Sequence, residues 1–399
     1  TPSHTVVVAD PVGDWGQPAP FHMVPRGPGY IRLSLLFDTL VWKTDKGIQP
    51  AVAESWEFSE DGLTWDFRIR SGVLWHDGRS LTPEDIRFTI RYFKETPWEW
   101  VNLDMIQSVE ILEKRVVRIV LNRPYAPFLV NIAGSLPILP QHIWNNIRAP
   151  RRNFLPEMTT GSGPFHLADY NRAHGTYLFK AWTQYWQGAP EIKEIRFLRA
   201  SREISPALLA RSRIHAAAVP PESVADLRKK DLKIVEIPLF WAAKLMINHQ
   251  RTPLDRTEVR KGLAHAVNRK KLVQVGLRGH GVPGSQGLLP PSSPWYTPAV
   301  EKYGWNTARA GELLESAGLI KKTDGSYALN GKSVELELLV KETFARTAEL
   351  IQQDLRAAGI RVRLKSLESG AVDARVLAWN FDLALSGHGG LGGDPDILR

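Results

Sequence analysis

Apolar and polar residues alternate along Leu63-Thr64-Trp65-Asp66-Phe67-Arg68-Ile69, the period of two expected of a strand with one buried face. A second aromatic-rich run, Trp56-Glu57-Phe58, precedes it, and Glu60-Asp61-Gly62 between them supplies a glycine where a tight hairpin needs positive φ. An antiparallel pair is predicted. His76-Asp77-Gly78 repeats the turn chemistry. The period then changes to helical: Thr82 reads as an N-cap, Pro83 as the first helical residue and Asp85 as a capping-box acid, for a helix from about Pro83 to Phe93.

The same reading covers the rest of the chain. Val6 to Ala9 is a short apolar strand, Pro11 to Gly29 a Pro- and Gly-dense loop, and Tyr30 to Leu40 a helix. Val109 to Leu112 and Arg115 to Leu121 flank a Glu-Lys turn. Tyr177 to Lys180 and Ile195 to Phe197 read as strands, with a helix near Pro206 to Arg213. Lys244 to Asn248 is strand-like, and Asp255 with Glu258 reads as a capping box opening a helix through Val267. Thr307 caps a helix through Ala317 that Gly318 terminates, and Ala345 to Ala358 is a helix closed by Gly359. Strands are expected at Val334 to Val340, Arg361 to Leu367 and Phe381 to Leu385. Helices and strands intermingle throughout, so the fold class is α/β.

Length and composition sharpen this picture. A chain of 399 residues, 43% hydrophobic and 23% charged, exceeds the usual single domain and buries sizeable cores. Cysteine is absent from these 399 residues, so no disulfide, thiolate metal site, cysteine nucleophile or lipid-bearing cysteine is expected among them. No apolar run among these residues approaches the roughly 20 of a spanning helix, and the chain, if exported, is expected to be already processed. The net charge of +9 raises nucleic acid as a partner, but Arg151-Arg152, Lys229-Lys230 and Arg269-Lys270-Lys271 are short and far apart, so a solvated basic surface is expected.

Catalytic grammar is sparse. Gly387-His388-Gly389-Gly390-Leu391-Gly392 satisfies G-x-G-x-x-G after a strand, yet Gly393-Asp394-Pro395-Asp396 follows as turn chemistry where a dinucleotide site needs a helix. Gly161-Ser162-Gly163-Pro164 is too short for a nucleophile elbow, and no P-loop occurs. The 11 histidines form no tight pair, so a site made only of protein ligands to a metal is not expected. His388, in the glycine-rich segment, is the histidine placed to ligate a metal or bond a carboxylate. No cofactor is implied. A hydrolase or dehydrogenase remains the competing class, and a nucleic-acid binder the third.

The string SWEFSEDGLTWDFRIRSGVLWHDGRSLTPEDIRFTI resembles the signature of the family 5 extracellular solute-binding proteins, the peptide and nickel receptors of ABC importers. Gly161 to Phe197, Leu245 to Val273 and Phe381 to Asp396 resemble the same family. The likeness implies a two-lobed periplasmic-binding-protein-like fold of type II, with an extra subdomain in lobe one. Residues 1–30 and 159–237 would form the lobe-one core, 31–158 the inserted subdomain and 238–399 lobe two, with the crossing near Pro238. The family's chain runs well past the Asp-Pro-Asp segment, so the C-terminal part of lobe two is expected to be missing here.

Resemblance also implies the function and site. The chain would capture a small peptide or peptide-like solute, or alternatively a nickel or other metal chelate, and deliver it to a membrane permease. It would act as a monomer, in the periplasm or outside the cell near the cytoplasmic membrane. Tyr30 and Trp100 fall at motif positions that line the ligand cleft, and Trp241 lies close to the crossing. In the family's dipeptide binders, an aspartate shortly before Asp-Pro-Asp receives the ligand's ammonium, because a buried ammonium needs a carboxylate partner. That position is Leu391 here, leaving Asp394 as the substitute. The family's chelate binders use lobe-one arginines, and the matching stretches 96–103 and 134–141 have none. His388 would supply at most one bond to a chelated metal.

Overall fold

The computed structural model describes residues 4–389, except 24–26, 99–100, 153, 237–240, 286, 288, 290, 292 and 294. The chain divides into two compact units, Thr1–Ile234 and Val235–Arg399.

In the first unit, a five-stranded sheet runs in the order Ala216–Ala217, Thr5–Asp10, Glu194–Arg199, Thr176–Ala181, Phe165–Asn171. Thr5–Asp10 is parallel to both neighbours, and the remaining pairs are antiparallel. The predicted hairpin forms as Ala53–Phe58 and Thr64–Ile69, with Gly62 at φ 69°. It continues through Val116–Leu121 to Ile106–Glu113 as an antiparallel four-stranded sheet. Alternation decides its inner face: Trp65, Phe67 and Ile69 are buried beside Val117, Ile119 and Leu121. The helix Pro83–Glu95 packs on this sheet through Ile86, Phe88 and Phe93. Its capping box is present, with the Thr82 N–H donating to Asp85 Oδ2 at 2.8 Å.

In the second unit, the sheet order is Ala242–Ile247, Leu383–His388, Glu335–Lys341, Arg361–Leu367. The last three are mutually parallel, and Ala242–Ile247 runs antiparallel at the edge. The helix Ala345–Ala357 connects Glu335–Lys341 to Arg361–Leu367, a βαβ crossover closed by Gly359 at φ 87°. Leu338, Leu355 and Leu383 are completely buried between helix and sheet.

Several local expectations are corrected. The first helix is Pro28–Leu36, so it starts earlier and stops short of Leu40. Asp255 does not cap the next helix, which is Thr257–Ala266: its carboxylate accepts from the Thr252 hydroxyl at 3.0 Å, and Arg256 occupies the cap position. Asn306, rather than Thr307, caps Thr307–Ser316 by accepting the Arg309 N–H at 2.9 Å. The short strands Val41–Thr44 and Gly47–Pro50 and the helix Ser369–Leu377 are additional to the sequence reading.

Candidate functional site

Two arrangements carry the residues that the sequence singled out, one in each unit. In the first unit, the signature turn and the Gly-Ser-Gly-Pro segment interlock. The His76 N–H donates to Gly161 O at 2.8 Å, the Gly161 N–H donates to His76 Nδ1 at 3.2 Å, and His76 Nε2 lies 3.0 Å from Gly163 O. Because Nδ1 accepts, the proton sits on Nε2 and donates to Gly163. Burial, set against that carbonyl contact, pulls the imidazole down to about 4, so it is neutral near pH 7.

Both glycines are required sterically: a Cβ at Gly161 would lie 1.9 Å from Leu36 O, and one at Gly163 2.6 Å from Leu36 C. Gly163 also donates its N–H to Leu36 O at 2.7 Å, fixing the end of the helix Pro28–Leu36. Ser162 points the other way and donates to Asp38 Oδ2 at 3.0 Å, where Trp186 Nε1 also donates at 3.1 Å. The Tyr185 hydroxyl donates to Asp38 Oδ1 at 3.1 Å. Burial nevertheless pushes Asp38 up to about 6, because three neutral donors replace hydration incompletely.

The Pro- and Gly-rich loop is organised by a buried ion pair. Arg32 Nη2 donates to Asp10 Oδ2 at 2.8 Å, with both side chains nearly inaccessible, and the guanidinium lies 4.2 Å from the Phe197 ring centroid. Asp10 also accepts the Val12 N–H and Trp15 Nε1–H, each at 2.9 Å. Burial opposes its ionisation, but Arg32 and the backbone donors outweigh burial and hold it below the usual carboxylate range. On the helix that Arg32 anchors, Tyr30 is half-buried and its hydroxyl donates to Gly134 O at 3.3 Å. Burial pushes that hydroxyl up to about 12, so it is a neutral donor.

In the second unit, Trp241 directly precedes the strand Ala242–Ile247 and is 49% exposed. Its indole stacks on Phe344, with centroids 5.4 Å apart and planes within 1°. A Cβ at Gly387 would fall 1.8 Å from Trp241 Cζ2, and one at Gly389 3.0 Å from Cδ1. Glycine at 387 and 389 therefore serves to seat an aromatic ring against the strand, a reason unrelated to phosphate binding. Half-buried His388 ends the strand Leu383–His388, paired with Ala242 in the ladder, which puts it next to the Trp241 seat.

Trp100, Leu391 and Asp394 lie outside the described residues. The structure thus brings Trp241 and His388 together, and places Tyr30 in the other unit. Sequence reasoning passed over Phe344, Asp38 and the clamping role of His76. Among the described residues, no group of three or more His, Cys, Asp or Glu could hold a metal ion. Nor is any described helix long and apolar enough to cross a membrane.

The chain comprises two α/β units, each with its own mixed sheet. Residues 47–398 match the family described as bacterial extracellular solute-binding proteins, family 5. The chain belongs to that family, and its fold is the two-lobed periplasmic-binding-protein fold of the family's members. It is 27% identical over 372 residues to the dipeptide-binding protein of Escherichia coli, covering 87% of this chain and 68% of that protein. It is 29% identical over 374 residues to di/tripeptide-binding protein 2 of Pseudomonas aeruginosa, covering 87% and 69%. The crystal structure of NikZ from Campylobacter jejuni in complex with Ni(L-His) superposes with a TM-score of 0.81 at 25% identity, covering 100% of this chain and 80% of that one.

Proposed function

We propose that the chain is the substrate-binding component of an ABC importer, capturing a small peptide or peptide-like solute between its lobes and delivering it to a membrane permease. The family match over residues 47–398, with dipeptide- and di/tripeptide-binding relatives, carries this reading. Work would be done by binding, without turnover. A ligand closes two lobes only to the extent that it binds the closed form better, so walls contributed by each lobe matter more than reactive groups. Tyr30 and Trp100 would line the lobe-one wall, and Trp241, His388 and Asp394 the lobe-two wall. Residues 31–158 would be the inserted subdomain, with the crossing near residue 238. The protein would work outside the cytoplasm, beside the cytoplasmic membrane. Calorimetric titration with a panel of di- and tripeptides tests this: saturable binding at one site per chain is expected, and peptide hydrolysis or no heat across the panel would reject it.

The likeness to a nickel-histidine-bound structure favours a second reading, a small metal chelate as cargo. His388 beside the Trp241 seat is the side chain that would touch such a chelate. Titration with preformed nickel-histidine separates the two, because a chelate receptor would bind it and ignore peptides.

A further inference from the structure

Two supports hold Tyr30 in the first unit, and both converge on Asp38. Tyr30 lies on the helix Pro28–Leu36, whose last carbonyl, Leu36 O, accepts the Gly163 N–H at 2.7 Å. Its hydroxyl donates to Gly134 O at 3.3 Å, and four residues further on the Ile138 N–H donates to Asp38 O at 3.0 Å. The backbone of Asp38 thus ties down the segment that Tyr30 leans on. Its carboxylate secures the other support, because Ser162, set between the two glycines that abut Leu36, donates to Oδ2 at 3.0 Å.

This carboxylate is buried with neutral partners alone: Ser162, Trp186 and Tyr185. Among the described residues no cation forms an ion pair with it. Arg70 stacks on Trp186 instead, its guanidinium 4.4 Å from the ring centroid, and its Nε–H donates to Ala51 O at 3.2 Å. An ionised carboxylate buried without a counter-charge is costly. The protonated acid can keep the Ser162 and Trp186 bonds on Oδ2 while Oδ1–H donates to the Tyr185 oxygen.

We propose that Asp38 is a positioning residue for the lobe-one wall: protonated, it holds Tyr30 in place, and ionised, it loosens both supports and lowers affinity for the solute. The proposal rests on the reading that Tyr30 lines that wall. Burial pushes Asp38 up to about 6 from 3.8, so the hold is complete below the lower value and lost as pH rises through the upper one. The other groups facing this junction leave the sign unchanged. Tyr185, pushed up by burial and by Asp38 itself, stays neutral. His76, across the Gly161–Gly163 segment, is pulled down to about 4 by burial and is neutral over the same range; His166 and Asp77 face it. His166, also pulled down by burial, is present in every variant and is controlled for by comparison.

Calorimetric titration of the 399-residue chain with the di- and tripeptide panel at about pH 5 and about pH 7 tests this, since the peptide termini hold their charges between those values. Affinity of the natural protein should fall about fivefold or more on going to the higher pH, and that of Asp38→Asn should stay level. Without solute, hydrogen exchange at the Gly163 and Ile138 amides, corrected for its intrinsic pH dependence, should quicken over the same range in the natural protein only. The exchange measurement on the natural protein stands whether or not the variant folds. Parallel pH profiles in the two proteins, or exchange that stays level in the natural one, would overturn the proposal. Quickened exchange with no peptide bound at either pH would support the positioning and reject the solute reading, so the two can fail separately.

Discussion

Asp38 offers a quantitative test of how the signature motifs are held together. Its carboxylate is buried among Ser162, Tyr185 and Trp186 and pushed up to about 6 from 3.8. The native state then binds more protons than the unfolded chain between these two values, so the free energy of unfolding falls as pH rises through that window. A difference of about two units corresponds to about 3 kcal/mol, complete below the unfolded value and lost by about pH 7. Asp38→Asn keeps the shape and removes the titration: Oδ1 can accept from Trp186 and Ser162 while the amide donates to the Tyr185 oxygen. Urea unfolding of both proteins between pH 4 and pH 7 isolates this one group. The stability of the natural protein relative to the variant should drop by about 2 to 3 kcal/mol across that range. A relative stability that stays level, or rises with pH, would show that the three donors hold the anion and would refute the reasoning.

Two further outcomes follow from the packing and a third from the proposed site. Gly161→Ala places a methyl 1.9 Å from the Leu36 carbonyl oxygen, a backbone atom that cannot swing aside; urea unfolding should show a loss above about 3 kcal/mol or no folded protein. Gly387→Ala collides with Trp241, so the stack on Phe344 should open and solute affinity fall in calorimetry, while far-ultraviolet dichroism is unchanged. Unaltered affinity in that variant would remove Trp241 from the binding wall. If Leu391 stands at the proposed ammonium-binding position, Leu391→Asp should raise dipeptide affinity by about tenfold or more, since charge-assisted bonds contribute about 1.5 to 3 kcal/mol. No gain would reject the alignment of Leu391 with that anchor.

Local chemistry made much of the fold legible. Thr82, Pro83 and Asp85 specify a helix start within four residues, and Gly62 a hairpin, so both were readable without knowing what they pack against. Caps were less readable where two candidates adjoin: Asn306 and Thr307 are both competent, and the backbone at Asn306 is the extended one. The helix Ser369–Leu377 escaped because it begins Ser-Gly and buries only Val372, leaving little periodicity to detect. At the candidate site, the limits are of range. Asp38 meets Ser162, Tyr185 and Trp186 across separations of 124 to 148 residues, and no local pattern announces such a meeting. The Gly387-His388-Gly389 run was visible as a motif, but its steric reason depends on an indole 146 residues away in sequence from Gly387. Glycine patterns report close approach; only the structure says what approaches.

Native mass spectrometry of the purified chain, incubated with an equimolar pool of di- and tripeptides and nickel-histidine, tests solute capture most directly. A receptor of the proposed kind should appear with one peptide mass added per chain, at unchanged peptide composition. Shortened peptides in the pool, or a spectrum in which the protein carries neither peptide nor chelate, would contradict it.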